Sequence, residues 1–131
     1  WGNMAIRGAT TLWEHWEDVY LPAGDASKNH AMFAPVLAYL SQATLGVRNG
    51  GVAYSTLLVE PRYTATVLSR VSGWRWTVRG NVTVSYTLPR DGQWSLKVSL
   101  PANCHNAVVT LPSGAKVDLG CDGSTHSWAG P

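Results

Sequence analysis

The stretch Gly8-Ala9-Thr10-Thr11-Leu12-Trp13-Glu14-His15-Trp16, followed by Asn29-His30, holds the residue types best suited to chemistry. Glu14 is a carboxylate set between two indoles, Trp13 and Trp16, in a segment without sustained periodicity. Aromatic faces stack on the C–H faces of a pyranose, and a carboxylate between them can bind hydroxyls or activate a water. That composition points to a sugar site. In the competing reading Trp13 and Trp16 plug the edge of a core, Glu14 is a surface charge, and His30 is a capping or core histidine.

Other chemistries find less support. His15, His30, His105 and His126 show neither His-x-x-x-His nor Cys-x-x-Cys spacing, so no metal site is expected. No Gly-x-Ser-x-Gly elbow is present, and Asn49-Gly50-Gly51 opens a strand pattern instead of a phosphate-binding helix. Ten basic against eight acidic side chains leave a net charge of +2, too little for a phosphate-backbone footprint. The longest nearly apolar run, 31–40, falls well short of the roughly 20 residues a bilayer crossing needs. We expect no cofactor, no nucleic acid and no membrane, which leaves carbohydrate as the partner.

The elements that must position these residues separate by period. Residues 1–26 read as loop-rich. Over 27–45 apolar residues at Phe33, Ala34, Leu37, Leu40 and Ala43 follow helical spacing, with Ser27 or Asn29 as N-cap and Gly46 as the stop. Pro35 fits such a helix only in its first turn, where its missing N–H would have had no partner. From Gly51 the period becomes two, with strands expected at 52–59, 63–71, 74–78, 82–86, 94–100, 107–111 and 115–119. Pro89-Arg90-Asp91-Gly92-Gln93 has hairpin-turn chemistry, and a Pro112-Ser113-Gly114 loop would pair Val109 with Val117. The expected fold is mainly β: an antiparallel β-sandwich of about seven strands preceded by a loop-rich segment and one α-helix.

Cys104 and Cys121 would sit at the open end of that last hairpin, either as a disulfide or as two buried thiols. Asn81-Val82-Thr83 matches an N-glycosylation acceptor. The chain starts at Trp1 with no signal-like segment, so an export signal is expected to have been removed or never included. These features favour a secreted, extracellular protein.

The run from Gly8 to Trp16 with Asn29-His30-Ala31-Met32-Phe33 resembles the GATT-(I/L)-WE-x-W and NHYAF signature near the end of the catalytic domain in bacterial-type α-L-rhamnosidases. Arg79-Gly80-Asn81-Val82-Thr83-Val84-Ser85-Tyr86 is similar to that family's RGxVxVSW, and Leu96-Lys97-Val98-Ser99-Leu100-Pro101-Ala102-Asn103 to its LxVxxPxN. The hairpin 107–119 resembles its final ATVYLPDG segment. The resemblance implies that 1–46 is the last loop and helix of an incomplete (α/α)6 barrel and that 47–131 is the C-terminal β-sandwich. It assigns Glu14 as the general base of an inverting hydrolase, with Trp13, Trp16, Asn29 and His30 binding a rhamnoside. The family's general acid lies upstream and has no counterpart here; Glu17, three residues from Glu14, is too close to leave a sugar-sized gap, and Asp18 and Asp25 are no better placed.

A barrel helix without its neighbours would leave Phe33, Leu37 and Leu40 uncovered, so the chain is expected to be inactive alone and to associate with a protein partner or with copies of itself. The alternative function is a secreted structural or carbohydrate-binding protein that self-assembles without turnover.

Overall fold

The computed structural model describes residues 1–16, 26–63, 68–90 and 92–131. Glu17, Asp18 and Asp25, weighed above as acids, and Asp91 of the hairpin turn lie outside the described residues. The chain divides into two compact units, Trp1–Ala38 and Tyr39–Pro131.

In the first unit a short helix α1, Gly2–Ile6, ends where the Gly8 and Ala9 amides donate to the Ala5 and Met4 carbonyls. Gly8 closes this turn at φ +76°, a left-handed conformation that glycine adopts without the Cβ penalty. The helix expected over 27–45 starts later and changes geometry twice. It runs as a 3-10 turn over Ala31–Phe33 and then as α2 over Pro35–Tyr39, and the second unit starts with a π-turn over Leu40–Thr44. Its cap is His30, not Ser27 or Asn29: the imidazole accepts the Met32 amide. Pro35 forces the first break, because it has no N–H to continue the 3-10 ladder and is at ease as the first α-helical residue. Leu37 and Leu40 are 67% and 48% exposed, as the uncovered stripe requires, whereas Phe33 is half-buried under aromatic neighbours.

The second unit is a β-sandwich. Among the described residues it has eight strands: β1 Val47–Asn49, β2 Thr56–Val59, β3 Arg70–Thr77, β4 Gly80–Thr87, β5 Trp94–Ser99, β6 Asn106–Thr110, β7 Lys116–Gly120 and β8 Thr125–Gly130. One sheet has the order β1-β2-β6-β7 and the other β3-β4-β5-β8. Alternation puts Leu57, Val59, Ala107 and Val109 of one sheet against Val82, Val84, Tyr86, Leu96 and Val98 of the other, all essentially inaccessible to solvent. Val109 pairs with Val117 across a turn in which Gly114 takes φ +86°. A disulfide joins Cys104 to Cys121, Cα–Cα 5.3 Å, across the open end of that hairpin.

Three details depart from expectation. β2 and β6 pair in parallel, so the sandwich is antiparallel except at this seam. The strand expected over 52–59 is confined to 56–59, because Val52–Tyr54 coils into a 3-10 turn with Ala53 and Tyr54 at φ +48° and +57°. Asn49 Oδ1 holds that turn by accepting the Gly51 and Tyr54 amides. Of the strand expected over 63–71, residues 64–67 lie outside the described residues, and β3 takes up the chain only at Arg70.

Candidate functional site

The residues the sequence singles out for catalysis and sugar binding lie in the first unit, whereas Asn81 and the Cys104–Cys121 pair lie in the second. Past Gly8 the chain runs alongside 27–30. The Glu14 amide donates to the Ser27 carbonyl at 2.9 Å, and the His30 amide donates to the Leu12 carbonyl at 2.7 Å. The Thr11 hydroxyl donates to the Lys28 carbonyl. Glu14 Oε2 accepts the Ser27 amide at 2.9 Å, so main chain and side chain of Glu14 are both tied to one residue. The two halves of the motif, with Glu14 and His30 sixteen positions apart in sequence, are thereby brought side by side.

The Ser27 amide holds the Glu14 carboxyl below its ordinary value, against a smaller opposing effect of desolvation. Glu14 is therefore ionised throughout the neutral range, with Oε2 anchored. His30 Nδ1 accepts the Met32 amide at 3.1 Å, which leaves Nε2 as the nitrogen that can carry a proton to a ligand oxygen. Asn29 is exposed, and its amide donates to Ser27 Oγ at 3.1 Å.

The two indoles differ. Trp13 carries the Lys28 ammonium 4.3 Å from its ring centroid and the Arg7 guanidinium at 5.7 Å, so cations already use its π-surface. Trp16 packs on Phe33 with centroids 3.9 Å apart and meets Trp1 edge-on at 4.8 Å. The Trp1 indole N–H donates to the Phe33 carbonyl, and Asn3 Nδ2 donates to the Trp16 carbonyl. An open cleft of about 300 Å³, lined by Trp1, Met4, Ala5, Ala9, Thr10, Thr11 and Leu12, borders this loop without reaching Glu14. Ser27, Lys28 and Arg7 were not singled out by sequence. A serine used through its backbone and cations used through an indole leave no mark in residue type or spacing.

Among the described residues of this unit Glu14 is the sole carboxylate, and no cluster of three potential metal ligands occurs among the described residues of the chain. In the second unit Ser124 Oγ lies 2.8 Å from His126 Nε2, but Asp122 approaches that same nitrogen, at 3.9 Å, and cannot orient the ring as a nucleophile's relay requires. No helix among the described residues is long and apolar enough to cross a membrane.

Two family models match successive parts of the chain. Residues 1–44 match the bacterial alpha-L-rhamnosidase 6 hairpin glycosidase domain, and residues 46–125 match the bacterial alpha-L-rhamnosidase C-terminal domain. An alpha-L-rhamnosidase of Alteromonas sp. is 29% identical over 108 residues, which are 79% of this chain and 12% of that protein. One from Streptomyces avermitilis is 26% identical over 118 residues, 86% of this chain and 11% of its own length. The crystal structure of the Streptomyces avermitilis enzyme complexed with L-rhamnose superposes with a TM-score of 0.82 at 21% identity, covering 100% of this chain and 15% of that one, a likeness of fold. The chain thus spans only a small part of its relatives.

Proposed function

This chain belongs to the bacterial α-L-rhamnosidase family, and from that premise we propose that it is the C-terminal portion of a rhamnosidase-like glycoside hydrolase in which Glu14 is the general base. Residues 1–46 contribute the last loop and helix of an (α/α)6 barrel, and 47–131 the β-sandwich domain. The observation that carries the reading is the double tie between Glu14 and Ser27, which fixes an ionised carboxylate beside His30. Glu14 takes a proton from water as the water oxygen bonds to the anomeric carbon. The bond from that carbon to the leaving oxygen breaks, and an acid outside this chain protonates the leaving group. Inversion of this kind needs base and acid about 6.5–9.5 Å apart. His30 Nε2 and Asn29 bind sugar hydroxyls, with Trp13 and Trp16 forming the aromatic wall.

The test compares the 131-residue chain with a polypeptide in which it follows a rhamnosidase barrel lacking its own last loop, using para-nitrophenyl α-L-rhamnoside. The chain alone is silent, while the longer polypeptide turns over and releases β-rhamnose first. Glu14→Gln lowers kcat by roughly 10²–10⁴. Undiminished turnover in Glu14→Gln, or α-rhamnose as the first product, refutes the assignment.

A second reading draws on the exposure of Leu37 and Leu40: a secreted, non-catalytic protein, disulfide-bonded and glycosylated at Asn81, that assembles through the helix. Large particles in light scattering that dissolve on Leu37→Glu, with no turnover in the longer polypeptide, would favour it.

A further inference from the structure

The sheet β3-β4-β5-β8 presents an outer face that the reading of Glu14 leaves unused. On β3 the outward residues include Trp74 and Trp76, 66% and 71% exposed, two residues apart and so about 7 Å from each other along the strand. Indoles this open are costly to leave in water unless something covers them. Register identifies their neighbours. Trp76 lies opposite Asn81, and Trp74 begins a cross-strand row that continues through Thr83, Ser99 and Thr125. Ser99 and Thr125 join hydroxyls at 2.8 Å. The next row adds Ser85 and Lys97, and the one beyond it pairs the Thr87 and Ser95 hydroxyls at 2.7 Å.

The face therefore combines two exposed indoles with a pavement of hydroxyls and the cations Arg70 and Lys97, carries no carboxylate, and has no leucine, isoleucine, valine, methionine or phenylalanine among the outward residues of its four strands. A protein-docking patch surrounds its aromatic anchors with further apolar side chains and is poor in serine. A sugar chain needs the opposite: flat rings for its C–H faces, and hydroxyl and amide groups at the side for its own hydroxyls. We infer that the outer face of β3-β4-β5-β8 is a second carbohydrate-binding surface, which takes an extended glycan along Trp74 and Trp76 with Asn81, Thr83 and Ser99 reading its hydroxyls. Gly73 and Thr77, the inward neighbours of the indoles, hold β3 against the sandwich, so the platform is built on a rigid strand: a Cβ on Gly73 would come within 3.2 Å of Leu45.

The test is affinity electrophoresis of the unglycosylated 131-residue chain through native gels containing hydroxyethyl cellulose, arabinoxylan or arabinogalactan. We expect retardation in at least one of the three, weakened about tenfold by Trp74→Ala or Trp76→Ala and partly kept by Trp76→Phe. Both positions are exposed, so these variants should keep the parent circular dichroism spectrum and melting temperature. In the longer polypeptide they should leave turnover of the small aryl rhamnoside unchanged, which separates this surface from the Glu14 site. Equal mobility in all three gels and in a plain gel overturns the proposal. So does a Trp74→Ala/Trp76→Ala chain that is retarded like the parent, or one whose only change is a smaller oligomer, which would make the face a protein interface.

Discussion

Glu14 and Ser27 hold each other twice: the Glu14 amide donates to the Ser27 carbonyl at 2.9 Å, and the Ser27 amide donates back to Glu14 Oε2 at 2.9 Å. The carboxylate is thus positioned by a backbone group, and the serine side chain is incidental to it.

Ser27→Pro removes the donated N–H and should return the Glu14 carboxyl towards its ordinary value of 4.5, whereas Ser27→Ala, which keeps the amide, should not. A carbon-13 NMR titration of the Glu14 carboxyl reads this directly. The sign for stability follows: the folded value is lowered, so the contribution is present above 4.5 and is lost as pH falls through the lowered value.

Tyr63 and Tyr86 meet edge to face at 5.1 Å in the sandwich core, their hydroxyls donating to the Thr110 and Thr44 carbonyls. Burial raises both phenols above 10.0, and the neighbouring Tyr86 raises Tyr63 further. Their contribution to stability is intact below the unfolded value and is lost as pH rises through the folded one. Phenolate absorbance should show two tyrosines that resist ionisation above pH 10 until the sandwich unfolds. Tyr86→Phe should cost about 1 kcal/mol.

Gly46 sits at φ +82° with its missing Cβ position 2.2 Å from the Pro61 nitrogen. Gly46→Ala collides with backbone as well as straining φ, so urea melts should show a loss above about 2 kcal/mol. Gly114→Ala has open space around its Cβ and bears only the φ penalty, so its loss should be smaller.

The disulfide closes a loop of sequence separation 17, for which chain entropy alone suggests about 3 kcal/mol. Reduction, or Cys104→Ala with Cys121→Ala, should lower the urea midpoint accordingly. An unchanged midpoint would mean that the β6–β7 hairpin is as ordered in the unfolded chain as in the native one.

Period-two alternation made β4, β5, β6 and β7 legible in the sequence, down to the Val109–Val117 pair: β4, β5 and β6 alternate buried apolar residues with more open ones, and β7 does the same with half-buried Val117 and Leu119. β8 escaped notice: Thr-His-Ser-Trp-Ala-Gly offers one large apolar residue, and the strand is recruited by β5. β1 has three residues and borrows its strand character from pairing with β2. The parallel seam between β2 and β6 could not be read either, since pairing direction leaves no trace in hydrophobic period. At the site the sequence supplied Glu14 and His30 as residue types and missed the backbone amides that place them.

That parallel seam constrains the order of events during synthesis. Leu57 lies beside Ala107 and Val59 beside Val109, some fifty positions later in the chain. While a ribosome is still adding β3, β4 and β5, the β1–β2 ribbon has no third strand to lie against. A nascent or truncated product ending before Asn106 would leave the β2 edge open to other unfinished chains, which makes termination before β6 more hazardous for this polypeptide than loss of β8 alone.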